Sequence, residues 1–133
     1  MFKQVITLLL TLFLLFGCGV KSENDLPGDY QWTYVDGTIE IMIRHDHTYT
    51  ETIKDKHHPE RRFSGKWSII KGEHTLLLPI EKICFDLLLL PPGVFAGSFR
   101  SQPVHTCFGP EKLNGKVRLE VSGDRAIYFT KIR

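Results

Sequence analysis

The sequence "TIEIMIR", Thr38 to Arg44, has an isoleucine at every second position. Successive side chains of a β-strand point to opposite faces, so this period of two predicts a strand with one buried face. After a short polar break, "TYTETIK", Thr48 to Lys54, alternates again. These two runs predict consecutive strands of a β-sheet.

The chain beyond Pro27 repeats this pattern. Turn pairs such as Asp36-Gly37 and Asn114-Gly115 separate several of the runs, and no segment of adequate length shows helical periodicity free of glycine and proline. The further runs are Arg61 to Ile70, Thr75 to Ile80, Lys82 to Leu88, Val104 to Phe108, Lys116 to Val121 and Arg125 to Ile132. We therefore predict an all-β domain over residues 28–133, a small antiparallel up-and-down barrel of about eight strands.

The N-terminus has a different composition. Lys3 precedes an apolar stretch of twelve residues, Val5 to Phe16. It falls short of the roughly 20 needed for a membrane-spanning helix but matches the apolar region of a signal peptide. A core helix would carry a polar face at 3.6-residue spacing, and only Thr7 and Thr11 interrupt this run. Residues 1–17 are therefore predicted to be a signal peptide.

The end of this segment, Leu15-Phe16-Gly17-Cys18, resembles the lipobox of bacterial lipoproteins. The resemblance implies cleavage before Cys18 and a diacylglyceryl group on its sulfur. Gly19 to Pro27 is polar and lacks periodicity, so residues 18–27 are predicted to be a lipidated tether. In enterobacterial lipoproteins, an aspartate directly after the lipidated cysteine resembles a signal for retention in the inner membrane. Here that position is occupied by Gly19. We therefore expect the periplasmic face of the outer membrane, with a Gram-positive surface lipoprotein as the alternative.

With Cys18 assigned to lipid by this resemblance, Cys84 and Cys107 remain as an even pair. In an oxidising compartment they are expected to form a disulfide, which would stabilise the fold by roughly 3 kcal/mol. Two buried free thiols and a reactive pair are the alternatives, although a Cys-x-x-Cys motif is absent.

Charge and motifs limit the functional classes. Lys3 is the one charged residue of the first seventeen, so the predicted mature chain has 16 basic and 15 acidic residues. This nearly neutral balance does not indicate a nucleic-acid-binding protein. The Gly-x-Ser-x-Gly, His-Glu-x-x-His and P-loop patterns are also absent. We expect a non-enzymatic protein without a cofactor.

One histidine cluster supports an alternative. His45, His47 and Glu51 read His-x-His-x3-Glu, which resembles the first metal-binding motif of cupins, although Ile39 and His58 stand where that motif has glycines. Because "RHDHTY" falls at the break between two strands, the histidines are expected to flank a turn. A metal-binding protein or metal-dependent enzyme using these residues is the alternative function.

A second resemblance concerns the domain itself. "GDYQW", Gly28 to Trp32, and Gly65-Lys66-Trp67 are similar to motifs of small lipocalin-like (calycin) domains of secreted bacterial proteins. The resemblance implies a barrel of the kind found in ligand-binding cups, protease inhibitors and accessory lipoproteins.

The most unusual segment of the domain is "LLLLPPGVFAGSF", Leu87 to Phe99. Val94, Phe95 and Phe99 follow the proline pair in a glycine-punctuated loop, where they either fill the core at a barrel mouth or contact a partner or ligand. Asp86, just before this segment, is expected to face solvent. Our leading prediction is an outer-membrane lipoprotein that binds a protein or a small apolar ligand, for example as an inhibitor or immunity protein.

Overall fold

The alternating runs form the strands of one antiparallel sheet. The computed structural model describes residues 19–72, 80–88, 103–122 and 127–133. Within them lie a 3₁₀ helix, Glu23–Asp25, and strands β1 (Gly28–Tyr34), β2 (Gly37–Ile43), β3 (Thr48–Asp55), β4 (His58–Lys66), β5 (Ser68–Lys71), β6 (Ile80–Leu87), β7 (Val104–Leu113), β8 (Lys116–Ser122) and β9 (Ile127–Lys131). In these ranges no helix is long and apolar enough to span a membrane.

The strand order is β4-β3-β2-β1-β9-β8-β7-β6-β5, with every neighbouring pair antiparallel. The two edge strands, β4 and β5, are consecutive in the chain and separated by Trp67 alone. The sheet therefore curls round into a barrel-like form. The predicted all-β up-and-down fold is confirmed, and the single predicted run from Arg61 to Ile70 is divided into two strands at Trp67.

The inward face of the sheet is filled by apolar side chains. Ile39, Ile41 and Ile43 are almost completely buried, as the alternation predicts. Ring centroids of Tyr49 and Phe85 lie 5.1 Å apart and those of Phe85 and Phe108 lie 6.1 Å apart, so aromatic rings occupy the interior. Such rings each bury a large apolar area and hold the layers of the core together.

The strands define two ends. The lower end carries the start of β1 at Gly28, the β7–β8 turn at Asn114-Gly115 and the end of β9 at Lys131, whereas the upper end carries the β1–β2 turn at Val35-Asp36. Leu87 pairs with Val104 at the upper end, so β6 and β7 lead into and out of residues 89–102 there.

The described part of the predicted tether, residues 19–27, is packed on the domain. Val20 and Leu26 are both completely buried, and Gly19 forms an antiparallel bridge with Glu111 of β7. The backbone N–H of Ile80 donates to the carbonyl of Val20 at 2.8 Å, and the Tyr30 hydroxyl donates to the carbonyl of Leu26 at 2.6 Å. The two apolar residues are spaced too widely to show a period, so the sequence pattern did not indicate their burial.

Candidate functional site

The candidate site is the base of the β6–β7 connection. We define this base as residues 84–88, at the end of β6, and residues 104–107, at the start of β7. Cys84 and Cys107 are directly opposite in the antiparallel register and form a disulfide, which confirms their predicted pairing. The bond links the two strands that bound residues 89–102. It therefore holds together the ends of the connection that carries Val94, Phe95 and Phe99.

A polar pair lies beside the disulfide on the outer face. Asp86 and His105 are the next opposed residues, and the His105 Nδ1 atom lies 2.9 Å from the Asp86 Oδ1 atom. The side chains are 56% and 69% exposed, so Asp86 does face solvent as its position in the sequence predicts. Exposed pairs of this kind contribute little stability because water screens them.

The contact with Asp86 leaves the other ring nitrogen of His105 facing the disulfide. The His105 Nε2 atom lies 3.7 Å from the Cys107 sulfur. Among the described residues, Cys84, His105 and Cys107 are the group of three potential metal-ligating side chains, with donor atoms within 4.8 Å of one another. Both sulfurs are joined in the disulfide, so neither is a thiolate ligand, which is the form that metal binding requires.

Two buried side chains of β3 support this base from inside the barrel. The Tyr49 hydroxyl donates to the Asp86 carbonyl and accepts from the Asp86 backbone N–H at 3.2 Å. The Glu51 carboxylate, which is completely buried, accepts from the backbone N–H of Leu88 at 2.8 Å. Polar groups of β3 thus satisfy the backbone at the end of β6, where a buried N–H or carbonyl would otherwise be costly.

Glycine at position 65 allows this contact. Gly65 is opposite Tyr49 in the register, and a Cβ atom at position 65 would lie 2.9 Å from the Tyr49 hydroxyl oxygen. The ring of Tyr49 therefore passes over the glycine to reach Asp86. Burial raises the pKa of Tyr49 from its ordinary value of 10.0 to about 12, so the hydroxyl keeps its proton in alkaline solution where an exposed tyrosine ionises.

The predicted histidine cluster is divided by the fold. His45 and His47 lie in the β2–β3 turn at the lower end, closed by a hydrogen bond from the Arg44 N–H to the Thr48 carbonyl. His47 stacks on Trp67, with ring centroids 4.4 Å apart, and its Nε2 atom lies 2.6 Å from Glu23 Oε1. Glu51 is inside the barrel, so the structure does not bring it to the exposed histidines.

Other predicted site residues lie outside the described ranges. These are the lipidation residue Cys18 and the contact residues Val94, Phe95 and Phe99.

The sequence pattern does not indicate Tyr49, Gly65 or His105 as residues of this site. The alternation in β3 places Tyr49 and Glu51 on one face, and it therefore offered a signal for their common direction. Their contact with β6 depends on the curl of the sheet, which the alternation does not encode. No protein-family model, curated protein or solved structure matches this chain.

Proposed function

We propose that this chain is a lipoprotein anchored to the outer membrane through Cys18, and that its barrel is a non-enzymatic module that binds a protein partner in the periplasm. The observation that carries the proposal is the placement of the domain's two ends. Gly19, next to the lipobox cysteine, is bound to β7 near the lower end, whereas the strands flanking residues 89–102 meet at the upper end. A lipid on Cys18 would leave the upper end directed away from the membrane.

The packing of the interior favours a protein over a small apolar ligand. Phe85, Phe108, Phe129 and Tyr49 are buried within the barrel, and consecutive rings lie 5.1 to 6.1 Å apart. A ligand cup needs an open, apolar interior, and these rings occupy that space. Contact through the β6–β7 connection requires no interior space.

The base of that connection supports the same conclusion. The disulfide, the Leu87–Val104 pair and the hydrogen bonds from Tyr49 and Glu51 hold the ends of the connection on a rigid sheet. A contact loop held at both ends loses less conformational freedom on binding. Inhibition of a periplasmic enzyme or effector, as by an immunity protein, is a role that such a surface would serve.

The test is a crosslinked pull-down from bacteria that express the full chain, comparing the wild type with Phe95→Ala. We expect Phe95→Ala to lose the partner while the thermal unfolding midpoint stays unchanged. Ile70→Ala is the matched control, because Ile70 is an apolar residue of β5 that is 47% exposed. A large stability loss in Phe95→Ala with the partner retained would contradict the proposed contact surface.

The anchor is tested separately by the intact mass of the membrane-purified protein. A chain that starts at Cys18 and carries the added mass of acyl groups is expected. We also expect the Cys18→Ser variant to be released from the membrane fraction, because stable attachment needs two or three buried acyl chains.

A further inference from the structure

We propose that the lower end of the barrel is a second membrane contact, which docks on anionic phospholipid headgroups; this inference rests on the proposed function. The surface, which we call the basic end, consists of Lys112, Leu113, Lys116, Lys131, Ile132 and Arg133. Four of these residues carry cationic side chains, and they line a cavity of about 380 Å³ together with one carboxylate, Asp25.

Four cationic side chains of the basic end face two acidic partners, Asp25 and Asp29, which leaves an excess of two positive charges there. Lys116 is exposed, and the side chain of Arg133 is 81% exposed although it lies 3.2 Å from Asp29. Lys112 pairs with Asp25 at 2.9 Å and retains a side chain that is 39% exposed. A local excess of accessible cations is attracted to the negative surface potential of an anionic bilayer.

Two exposed apolar side chains accompany the charges. Leu113 is 49% exposed and Ile132 is 48% exposed. Leu113 adjoins the β7–β8 turn, in which Asn114 and Gly115 both have positive φ, 50° and 77°. A tight turn that presents leucine between two lysines is suited to the boundary of headgroups and acyl chains, where apolar residues insert and cations remain with the phosphates.

The direction of the chain places this surface beside the proposed anchor. Gly19 bridges Glu111 in the antiparallel sense, so the chain at Gly19 enters from the side on which β7 continues to Lys112 and Leu113. A lipid on the residue before Gly19 would hold the basic end close to the bilayer. Such tethering raises the effective concentration of the surface at the membrane, so weak contacts suffice for docking.

The experiment uses lipidated protein purified from membranes and placed in vesicles of phosphatidylcholine, with or without about 30% phosphatidylglycerol. Hydrogen exchange is followed by mass spectrometry in the peptide that contains the β7–β8 turn. We expect this turn to exchange at least about five-fold more slowly on the anionic vesicles, the factor that corresponds to one lysine near a charged surface. The β1–β2 turn at Val35-Asp36 is the internal reference, because it lies at the upper end.

Charge variants identify the residues responsible. The double variant Lys116→Gln, Arg133→Gln should lose the slowing. The matched double variant Lys54→Gln, Lys56→Gln, which removes the same charge near the upper end, should retain it. Salt at about 1 M should abolish the slowing, because the Debye length then falls to about 3 Å.

The outcomes separate this inference from the proposed function. If a protein that carries the lipid shows equal hydrogen exchange on both kinds of vesicle, the proposed docking of the basic end is contradicted. The proposed anchor at Cys18 is not affected by that result. Protein without lipid mass would contradict the proposed function. In that case, flotation with phosphatidylglycerol vesicles but not with phosphatidylcholine vesicles would still support the basic end, and failure to float with either would overturn it.

Discussion

Tyr49 connects two parts of the barrel that share no direct backbone pairing. Its ring lies over Gly65 of β4, and its hydroxyl both donates to and accepts from the backbone of Asp86 in β6. The Tyr49 side chain is buried in the interior, and its hydrogen bonds with Asp86 are partly shielded from water. Single side-chain hydrogen bonds of this kind contribute most when their loss leaves two buried partners unsatisfied.

We expect Tyr49→Phe to lower the free energy of unfolding by about 1–3 kcal/mol, because the Asp86 N–H and carbonyl lose their partner. Urea unfolding followed by fluorescence measures this change. Tyr34→Phe is the control: its hydroxyl bonds the Asp55 carboxylate at 3.1 Å from a partly exposed position, so the loss should be below about 1 kcal/mol. Equal losses in the two variants would contradict the role assigned to Tyr49.

The buried tyrosines also predict sensitivity to alkali. Burial raises the pKa of Tyr49 to about 12 and raises the pKa of Tyr30 as well, with Asp25 adding to the second effect. A raised pKa means that the unfolded chain ionises first, so the stabilisation is complete below about pH 10 and is lost as pH rises toward 12. Each such tyrosine lowers the free energy of unfolding by about 1.4 kcal/mol per pH unit in this window.

Urea unfolding at about pH 9, 10 and 11 checks the slope. The slope should be shallower in Tyr49→Phe, which has one fewer group to ionise. An unchanged slope in that variant would show that Tyr49 does not contribute to the alkaline loss.

The bend between the two edge strands, β4 and β5, requires close packing of side chains around Trp67 and Gly65. β4 pairs with β3 and β5 pairs with β6, with a break at Trp67 between them. The Trp67 N–H donates to the His47 carbonyl, and its indole Nε1 donates to the Arg44 carbonyl at 2.9 Å. Trp67 therefore ties the bend to the β2–β3 turn, and Gly65 leaves room for Tyr49 beside it.

Two glycines in strands allow a matched test of this close approach. We expect Gly65→Ala to lower the free energy of unfolding by about 1–3 kcal/mol, because its Cβ atom would lie 2.9 Å from the Tyr49 hydroxyl oxygen. Gly109→Ala has nothing within 4 Å of the new Cβ atom and should change stability by less than about 1 kcal/mol or raise it slightly.

Thermal unfolding of both variants and of Gly65→Ala combined with Tyr49→Phe gives the coupling between the two positions. Strict additivity would show that the methyl group does not act through the Tyr49 hydroxyl.

At the scale of the whole molecule, the N-terminal segment closes the lower end. Gly19 and Val20 bond to β7 and to Ile80 of β6, and Leu26 lies in the core beneath the Tyr30 hydroxyl. The domain therefore begins at least as early as Gly19. Consequently, a lipid on Cys18 would hold the barrel close to the membrane rather than at the end of a flexible spacer.

This placement predicts the cost of disturbing the segment. We expect Leu26→Ala to lower the free energy of unfolding by about 2–5 kcal/mol, as for other fully buried leucines. Leu113→Ala, at a half-exposed leucine, should cost at most about 0.5 kcal/mol. Urea unfolding of the two variants checks the difference, and equal small effects would show that residues 19–27 behave as a free tether in solution.

Much of the fold was predictable because strand alternation is a local property. The isoleucines of β2 indicated its buried face without any knowledge of the partner strands, and the sequence of β3 alternates in the same way. The Cys84–Cys107 disulfide could be predicted because only two cysteines remained once Cys18 was assigned. The burial of Val20 and Leu26 could not, because two isolated apolar residues in a polar segment show no period.

The local pattern of side chains predicted the all-β up-and-down fold and the buried faces of its strands, and the sequence favoured the disulfide and a solvent-facing Asp86. The folded chain alone shows that His47 pairs with Glu23, that Glu51 supports Leu88, and that Tyr49 reaches Asp86 over Gly65. The fold also brings several cationic side chains together at the lower end, where the ends of β7 and β9 meet the 3₁₀ helix. The reason is that alternation specifies which face a side chain occupies, whereas contacts between distant segments depend on how the whole sheet curls.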